Sequence, residues 1–229
     1  QESISNQGPF DIILHKVSDY VKQQRNGDKN ADRILKEINQ SPLNAICIDP
    51  PQTVLNLADR AVMFQIIDKC SCHNEKIKVI VPPWILLSNS NDFAQLPNKN
   101  LSYPLICKAL CAGEGPGGHS MQLIFHESQL DSLKVMPCVA QEFRNHDNIM
   151  YKVFVFGPKY FICTRPSVRN FPINGQPLEK TDSICFDSHD VAKLTAVTFL
   201  NSYQTGFVLK NSSNDNSEVL DDNIVRQIL

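Results

Sequence analysis

The residues with the most chemistry in them stand in three places. The first is Gly113-Glu114-Gly115-Pro116-Gly117-Gly118-His119-Ser120, where four of the chain's nine glycines fall within six positions. Backbone without Cβ atoms lets N–H groups turn toward an anion and lets a phosphate come close. The run fits G-x-G-x-x-G in form. A strand rather than a helix is predicted after it, and it lacks the Gly-Lys-Ser/Thr ending, so it is neither a dinucleotide fingerprint nor a P-loop. It reads either as a loop that closes over nucleotide phosphates or as a plain hairpin tip. The second is Lys108, set in the apolar run Leu105-Ile106-Cys107-Lys108-Ala109-Leu110 just before that loop. Nucleotide kinases hold phosphates with a lysine so placed, although an edge lysine that snorkels to water looks the same in sequence.

The third is the run from Met150 to Arg165. A turn centred between Pro158 and Lys159 would pair Phe156 with Phe161, Phe154 with Cys163, and Lys152 with Arg165. Period-2 alternation then puts Lys152 and Arg165 on one face, directly opposed. Two such cations repel unless they splay into solvent or an anion lies between them. Weaker candidates surround these. Gln141-Glu142-Phe143 ends a strand whose backbone edge could pair with an adenine. Arg60 follows Asp59 on what reads as the polar face of a helix. Lys16 follows His15 just past a strand's carboxyl end, where open α/β sheets bind ligands. His119 closes the glycine loop, as a ligand group or as a structural histidine.

The elements that must position these residues follow two grammars. In the first third, Phe10–Leu14, Ala45–Ile48 and Ile77–Val81 are continuous apolar runs, as in parallel strands buried on both faces. Between them, Ala31–Asn39 and Gln52–Lys69 repeat apolar residues at three and four, which predicts amphipathic helices. This is a doubly wound α/β unit over residues 1–88. The polar stretch 89–102 is expected to be a linker. From residue 103 to 229, strands at Leu105–Leu110, Met121–Phe125, Cys138–Phe143, Ile149–Phe156 and Tyr160–Arg165, with a helix at Glu127–Lys134, predict an antiparallel sheet. Val208–Ser217 is polar, and Glu218–Leu229 is a helical pattern.

The 229 residues are 42% hydrophobic and 20% charged, a globular composition with no run long enough to span a bilayer. The net charge of −2 argues against a general electrostatic partner for nucleic acid or membrane. An anionic ligand must therefore be met by a local cluster of cations. Cys47, Cys107, Cys138, Cys163 and Cys185 lie in apolar runs and are expected to behave as small buried hydrophobes in a reducing compartment. Cys70-Ser71-Cys72-His73 lacks a second ligand pair and reads as the frayed end of a helix. A cytoplasmic monomer is expected.

Taken in order, Leu105-Ile106-Cys107-Lys108, Gly118-His119-Ser120-Met121, Gln141-Glu142-Phe143-x-Asn145-His146, Tyr151–Val155 with Gly157, and Arg165-Pro166-Ser167-x-x-Asn170-Phe171 resemble the inositol 1,3,4-trisphosphate 5/6-kinase family, also called inositol-tetrakisphosphate 1-kinases. Gly8–Lys16, Asp59-Arg60 and Ser183–Ser188 extend the resemblance to nearly the whole chain. It implies a pre-ATP-grasp-like N-terminal domain followed by an incomplete ATP-grasp domain with an antiparallel sheet. It implies a kinase that moves the γ-phosphoryl of ATP, with Mg2+, to an inositol tris- or tetrakisphosphate. Arg60, Lys108, Gln141, Glu142, Phe143, Lys152, Ser167 and Ser188 would bind ATP. Lys16, His119, Lys152 and Arg165 would bind inositol phosphates, the last three also serving catalysis.

The glycine loop is one residue longer than the family pattern. Members also begin earlier, and their magnesium-binding Asp and Asp-x-Asn come after the position of Leu229. The resemblance therefore implies no metal ligand in these 229 residues and little activity from them alone. Another ATP-grasp ligase, or a non-catalytic inositol-phosphate or nucleotide-binding module, is the alternative. A protein kinase is not expected, since His-Arg-Asp and Asp-Phe-Gly are absent.

Overall fold

The computed structural model describes residues 2–39, 45–70, 72–73, 78–110, 118–171 and 182–193. The glycines from Gly113 to Gly117, the stretch Val208–Ser217 and the pattern Glu218–Leu229 lie outside the described residues.

Strand β1 (Ile12–Leu14) leads into α1 (Ser18–Arg25) and α2 (Lys29–Asn39), and β2 (Ile46–Ile48) returns parallel to β1. Helix α2 buries Ala31, Ile34, Leu35 and Ile38, the three-and-four repeat read from its sequence. With Val17, Val21 and Ala58 these residues make a small core. Burial of the strands on both faces does not occur. Ile12, Leu14 and Ile46 are exposed, and only Ile13 and Cys47 are half-buried. The described sheet has just these two strands, so one of its faces stays open.

The single helix expected over Gln52–Lys69 is two, α3 (Pro51–Ala58) and α4 (Arg60–Asp68). Asp59 between them is extended (φ −93°, ψ 117°), and its carboxylate accepts from the N–H groups of Ala61 and Val62, capping α4. The break frees the Arg60 N–H, which donates to the Leu110 carbonyl at 2.8 Å. The capping carboxylate thus ties the start of α4 to the strand that carries Lys108.

The third parallel strand expected at Ile77–Val81 is replaced by a ribbon. Strand β3 (Cys72–His73) pairs antiparallel with β4 (Lys78–Val79), so Cys72 and His73 belong to a strand and not to a frayed helix end. The remaining elements are β5 (Trp84–Leu87), β6 (Leu105–Ala109), β7 (Ser120–Ile124), β8 (Cys138–Glu142), β9 (Ile149–Phe156), β10 (Lys159–Pro166), β11 (Ile184–Asp187) and α5 (Ser188–Ala192). Five of these strands form one antiparallel sheet in the order β11-β7-β6-β8-β5.

Residues 89–102, expected as a linker, carry local structure. They fold as 3-10 turns at Ser90–Gln95 and Pro97–Lys99, the first closed by a capping box between Asn89 and Asp92. Leu96, with Phe93 and Leu101 beside it, packs on Ile85, Leu87, Leu105 and Ile124. The segment's few apolar residues are spaced to cover one face of the sheet. Glu127–Lys134 likewise forms only a 3-10 turn, Glu127–Ser132. Cys107 and Cys138, on the central strands, are buried as expected. Cys47 is only half-buried, and Cys163 and Cys185 are exposed because they lie on outer strands. Among the described residues no helix is long and apolar enough to cross a membrane.

Strands β9 and β10 form a hairpin in a register two residues away from the expected one. Phe154 pairs with Phe161, Lys152 with Cys163, and Arg165 with Met150. The loop is the two residues Gly157 and Pro158, and Gly157 takes φ +57°, which a two-residue hairpin loop accepts most readily from glycine. A two-residue slip preserves the face. Lys152 and Arg165 therefore share a face, but diagonally, where neighbouring residues are about 7–8 Å apart. Their direct opposition is corrected, and with it most of their expected repulsion.

Leu105 is fully buried at the centre of the five-stranded sheet. Leu105→Ala is expected to cost about 2–5 kcal/mol in urea denaturation, because the packed strands around it cannot collapse into the space left.

Candidate active site

The sheet delivers Lys108 to the inward end of β6, between Met121 of β7 and Val139 of β8. The residue is half-buried. Its ammonium donates to the Gln141 side-chain oxygen at 2.7 Å and lies 5.5 Å from the centre of the Phe64 ring. Gln141 is buried and is itself held, donating its amide to the Pro82 carbonyl at 3.3 Å. Burial, and then the nearby Arg60 guanidinium, lower the Lys108 pKa from 10.5 to about 8. The amine remains mostly protonated at neutral pH, and its hydrogen-bond partner is a neutral amide.

Arg60 is buried, not on a solvated helix face as the sequence pattern suggested. Its guanidinium donates through Nη1 to the Ala109 carbonyl, one residue beyond Lys108. Arg60 and Phe64 are one helical turn apart, so α4 presents both on the side that meets β6. That spacing was a readable signal for Phe64, which the sequence reading passed over.

A second group forms around His119. Its carbonyl accepts from the Ser188 N–H at 3.1 Å, and its ring stacks on His189 with centroids 3.7 Å apart and planes at 28°. Asp187 caps α5 by accepting from the His189 N–H at 2.7 Å. Burial, then the neighbouring His189, hold the His119 pKa below its usual value, and Arg60 and Arg165 add to this against the pull of Asp187. The two groups are therefore close enough to feel one another, and Arg165 belongs to the same field. The Nε of Arg165 and the Nε2 of His119 are buried with no hydrogen-bond partner among the described residues. Buried donors left unpaired cost free energy that an arriving acceptor would recover.

The other predicted residues divide. Ser167 is buried; its hydroxyl lies 2.6 Å from His146 Nε2, and its N–H donates to Asn148 at 2.7 Å. The other His146 nitrogen meets the Arg144 carbonyl at 2.6 Å, so it is the N–H of the ring, and Nε2 accepts from Ser167. Phe143 packs in the core with Leu123, Val168 and Phe171. Glu142 points its carboxylate at the Ser102 N–H, 2.9 Å away, and at Arg144. The N–H groups of Glu142 and Phe143 donate to Pro83 and Pro104 at 2.9 Å, so neither is open to an incoming base. Lys16 lies past β1 and pairs with Asp19 at 3.7 Å. Among the described residues no three His, Cys, Asp or Glu side chains are grouped to hold a metal ion.

Residues 73–222 match the model of the inositol 1,3,4-trisphosphate 5/6-kinase ATP-grasp domain, and residues 1–54 match that of the family's pre-ATP-grasp domain. Among the similar proteins, inositol-tetrakisphosphate 1-kinase of Danio rerio is 35% identical over 201 residues, which is 84% of this chain and 49% of that protein. The Xenopus laevis protein of the same name is 31% identical over 83% of this chain and 48% of its own length. Inositol-tetrakisphosphate 1-kinase 3 of Arabidopsis thaliana is 31% identical over 72% of this chain and 44% of its own. The chain thus spans about half the length of the relatives it matches.

The Lys108 ammonium has a consequence for stability. Its folded pKa is about 8, against 10.5 for an unperturbed lysine. Between those values the unfolded chain holds a proton that the folded chain has released, so stability rises with pH across that window. Below about pH 8 both states are charged and the cost of burial is present in full. The stability difference between the native chain and Lys108→Met is expected to move in favour of the native chain from pH 8 to 10. The limit is about 1.4 kcal/mol per pH unit. Urea titrations of both proteins at pH 7, 8, 9 and 10 check it; parallel curves would refute the buried-ammonium assignment.

Proposed function

The chain belongs to the inositol 1,3,4-trisphosphate 5/6-kinase family, and we propose that it serves the transfer of the γ-phosphoryl group of ATP to a hydroxyl of an inositol tris- or tetrakisphosphate. The observation that carries this reading is the Lys108 ammonium beside Arg60, hydrogen-bonded to a neutral amide at the end of a strand that runs toward the glycine-rich segment. That is a fixed positive site whose natural complement is a polyanion.

Donor and acceptor both carry several negative charges, so the work is positioning and charge compensation more than bond-making by the protein. Lys108 meets the ATP phosphates, and Gln141 and Phe64 hold it in place. Arg60 adds charge and locks α4 to β6. Gln141, Glu142 and Phe143 line the approach of the base, the last two as scaffold, and Ser167 and Ser188 are assigned to the nucleotide on resemblance alone. Arg165 and His119, each with an unpaired buried nitrogen, take phosphates of the inositol. Lys152, diagonal to Arg165, reaches a separate phosphate oxygen or the group in transfer. Magnesium, when bound with ATP, would supply further charge compensation. Lys16 belongs to the inositol side on resemblance alone. We place this reaction in the cytoplasm, where ATP serves as co-substrate, and in a monomer.

Trp84, the chain's single tryptophan, lies 5.3 Å from Phe64, whose ring faces Lys108, and so reports on this site. ATP is expected to change Trp84 fluorescence, and Lys108→Ala is expected to weaken that binding by about tenfold or more, the worth of one charge-assisted hydrogen bond. Undiminished ATP affinity in Lys108→Ala would sink the assignment. Arg165→Ala is expected to weaken inositol 1,3,4-trisphosphate far more than ATP in calorimetry. Lys152→Ala is expected to weaken both, and the Arg165/Lys152 double variant to lose less than the sum, because both serve one bound molecule. Strict additivity would place the two cations in separate sites.

A further inference from the structure

The His119–His189 stack has no part in the reading above beyond His119 itself. Its geometry is specific. Asp187 of β11 pairs with Ser120 of β7, the Ser188 N–H holds the His119 carbonyl, and the cap at Asp187 fixes the first turn of α5. These bonds bring the His189 ring flat against His119 at 3.7 Å. The His119 Nε2 has no hydrogen-bond partner among the described residues, and the flat face of His189 constrains the ring plane. The charges facing the pair come from three elements besides α5: Arg60 of α4, Arg165 of β10 and Asp187 of β11, with Asp190 one residue beyond His189.

We propose that His189 is a positioning residue that acts on the ligand's phosphates through His119, holding the imidazole plane so that its unpaired Nε2 can donate to a phosphate oxygen. This rests on the polyphosphate reading of the site. A phosphate hydrogen-bonded to Nε2 favours the protonated ring, so binding is coupled to proton uptake at the pair. In the ligand-free protein burial and His189 oppose that protonation, with Arg60 and Arg165 on the same side and Asp187 against them. A second positive ring stacked on the first would be repelled, so the stack accommodates one added proton better than two.

The test uses the full 229-residue chain with His189→Ala and His189→Phe. Phe keeps a flat face but carries no proton. Two measurements are made: the titration of the His119 Cε1–H signal by NMR without ligand, and the affinity for inositol 1,3,4-trisphosphate by calorimetry from pH 5.5 to 8. His189→Ala is expected to weaken the trisphosphate by roughly five- to tenfold, the worth of one hydrogen bond, and His189→Phe to restore most of it. His189→Phe is also expected to raise the ligand-free His119 midpoint and to flatten the pH dependence of binding. A merely structural residue would not move that midpoint while leaving affinity intact. Unchanged affinity in His189→Ala, or an unmoved His119 midpoint in His189→Phe, overturns the proposal while leaving the kinase reading standing. If the unsubstituted chain fails to bind the trisphosphate, both fall together. If His189→Ala does not fold, loss of affinity in a folded His189→Phe overturns the proposal equally.

Discussion

Lys108 carries its ammonium into the interior of the sheet, where Arg60 lies close by and the group that receives its hydrogen bond is an amide. Such a charge is costly to bury, and much of the surrounding structure is arranged to hold it there. Asp59 breaks a continuous helix so that α4 can start at Arg60 and dock its first N–H and its guanidinium on the carbonyls of Leu110 and Ala109. Phe64, one turn later, offers a ring face to the ammonium. Gln141, on the neighbouring central strand, is pinned from the other side by Pro82. The core of Leu87, Leu105, Ile124 and Cys138 beneath gives these strands the rigidity that keeps an unfavourable charge in position.

The second group works by a different device. His119 stands just before β7, and Arg165 lies on the two-stranded hairpin. They are collected by β11 and α5, whose short capped turn fastens to the start of β7. The two groups share an electrostatic field, since Arg60 from one acts on His119 from the other. A polyanion entering between them would relieve both at once, as the proposed phosphoryl transfer requires.

The hairpin shows how a small turn decision alters a mechanism. Gly157 in the left-handed region closes the loop in two residues and shifts the pairing of every residue along β9 and β10. Because the shift is two, Lys152 and Arg165 remain on one face. They stand apart on the diagonal, so they suit two phosphate oxygens more than one shared between them.

The sequence by itself determined the types of residue that matter and their order: a lysine in an apolar strand before a glycine run, a cationic hairpin, and a set of motifs spread over nearly the whole chain. It also determined the helices whose apolar repeat is unambiguous, such as α2, because periodicity is a local property. Tertiary structure decided the rest. It buried Arg60, which local pattern assigned to water, because the partner for its guanidinium is a carbonyl 49 residues away. It turned the polar stretch 89–102 into a cover for the sheet through Phe93, Leu96 and Leu101, and it made Trp84–Leu87, for which no strand is expected from the sequence, an edge of the antiparallel sheet. It set the Glu142 carboxylate on the Ser102 N–H, 40 residues away, and brought His189 onto His119. Each of these depends on strand pairing between distant segments, whose partners and register are set by packing of the whole sheet and leave no trace in the spacing along the chain.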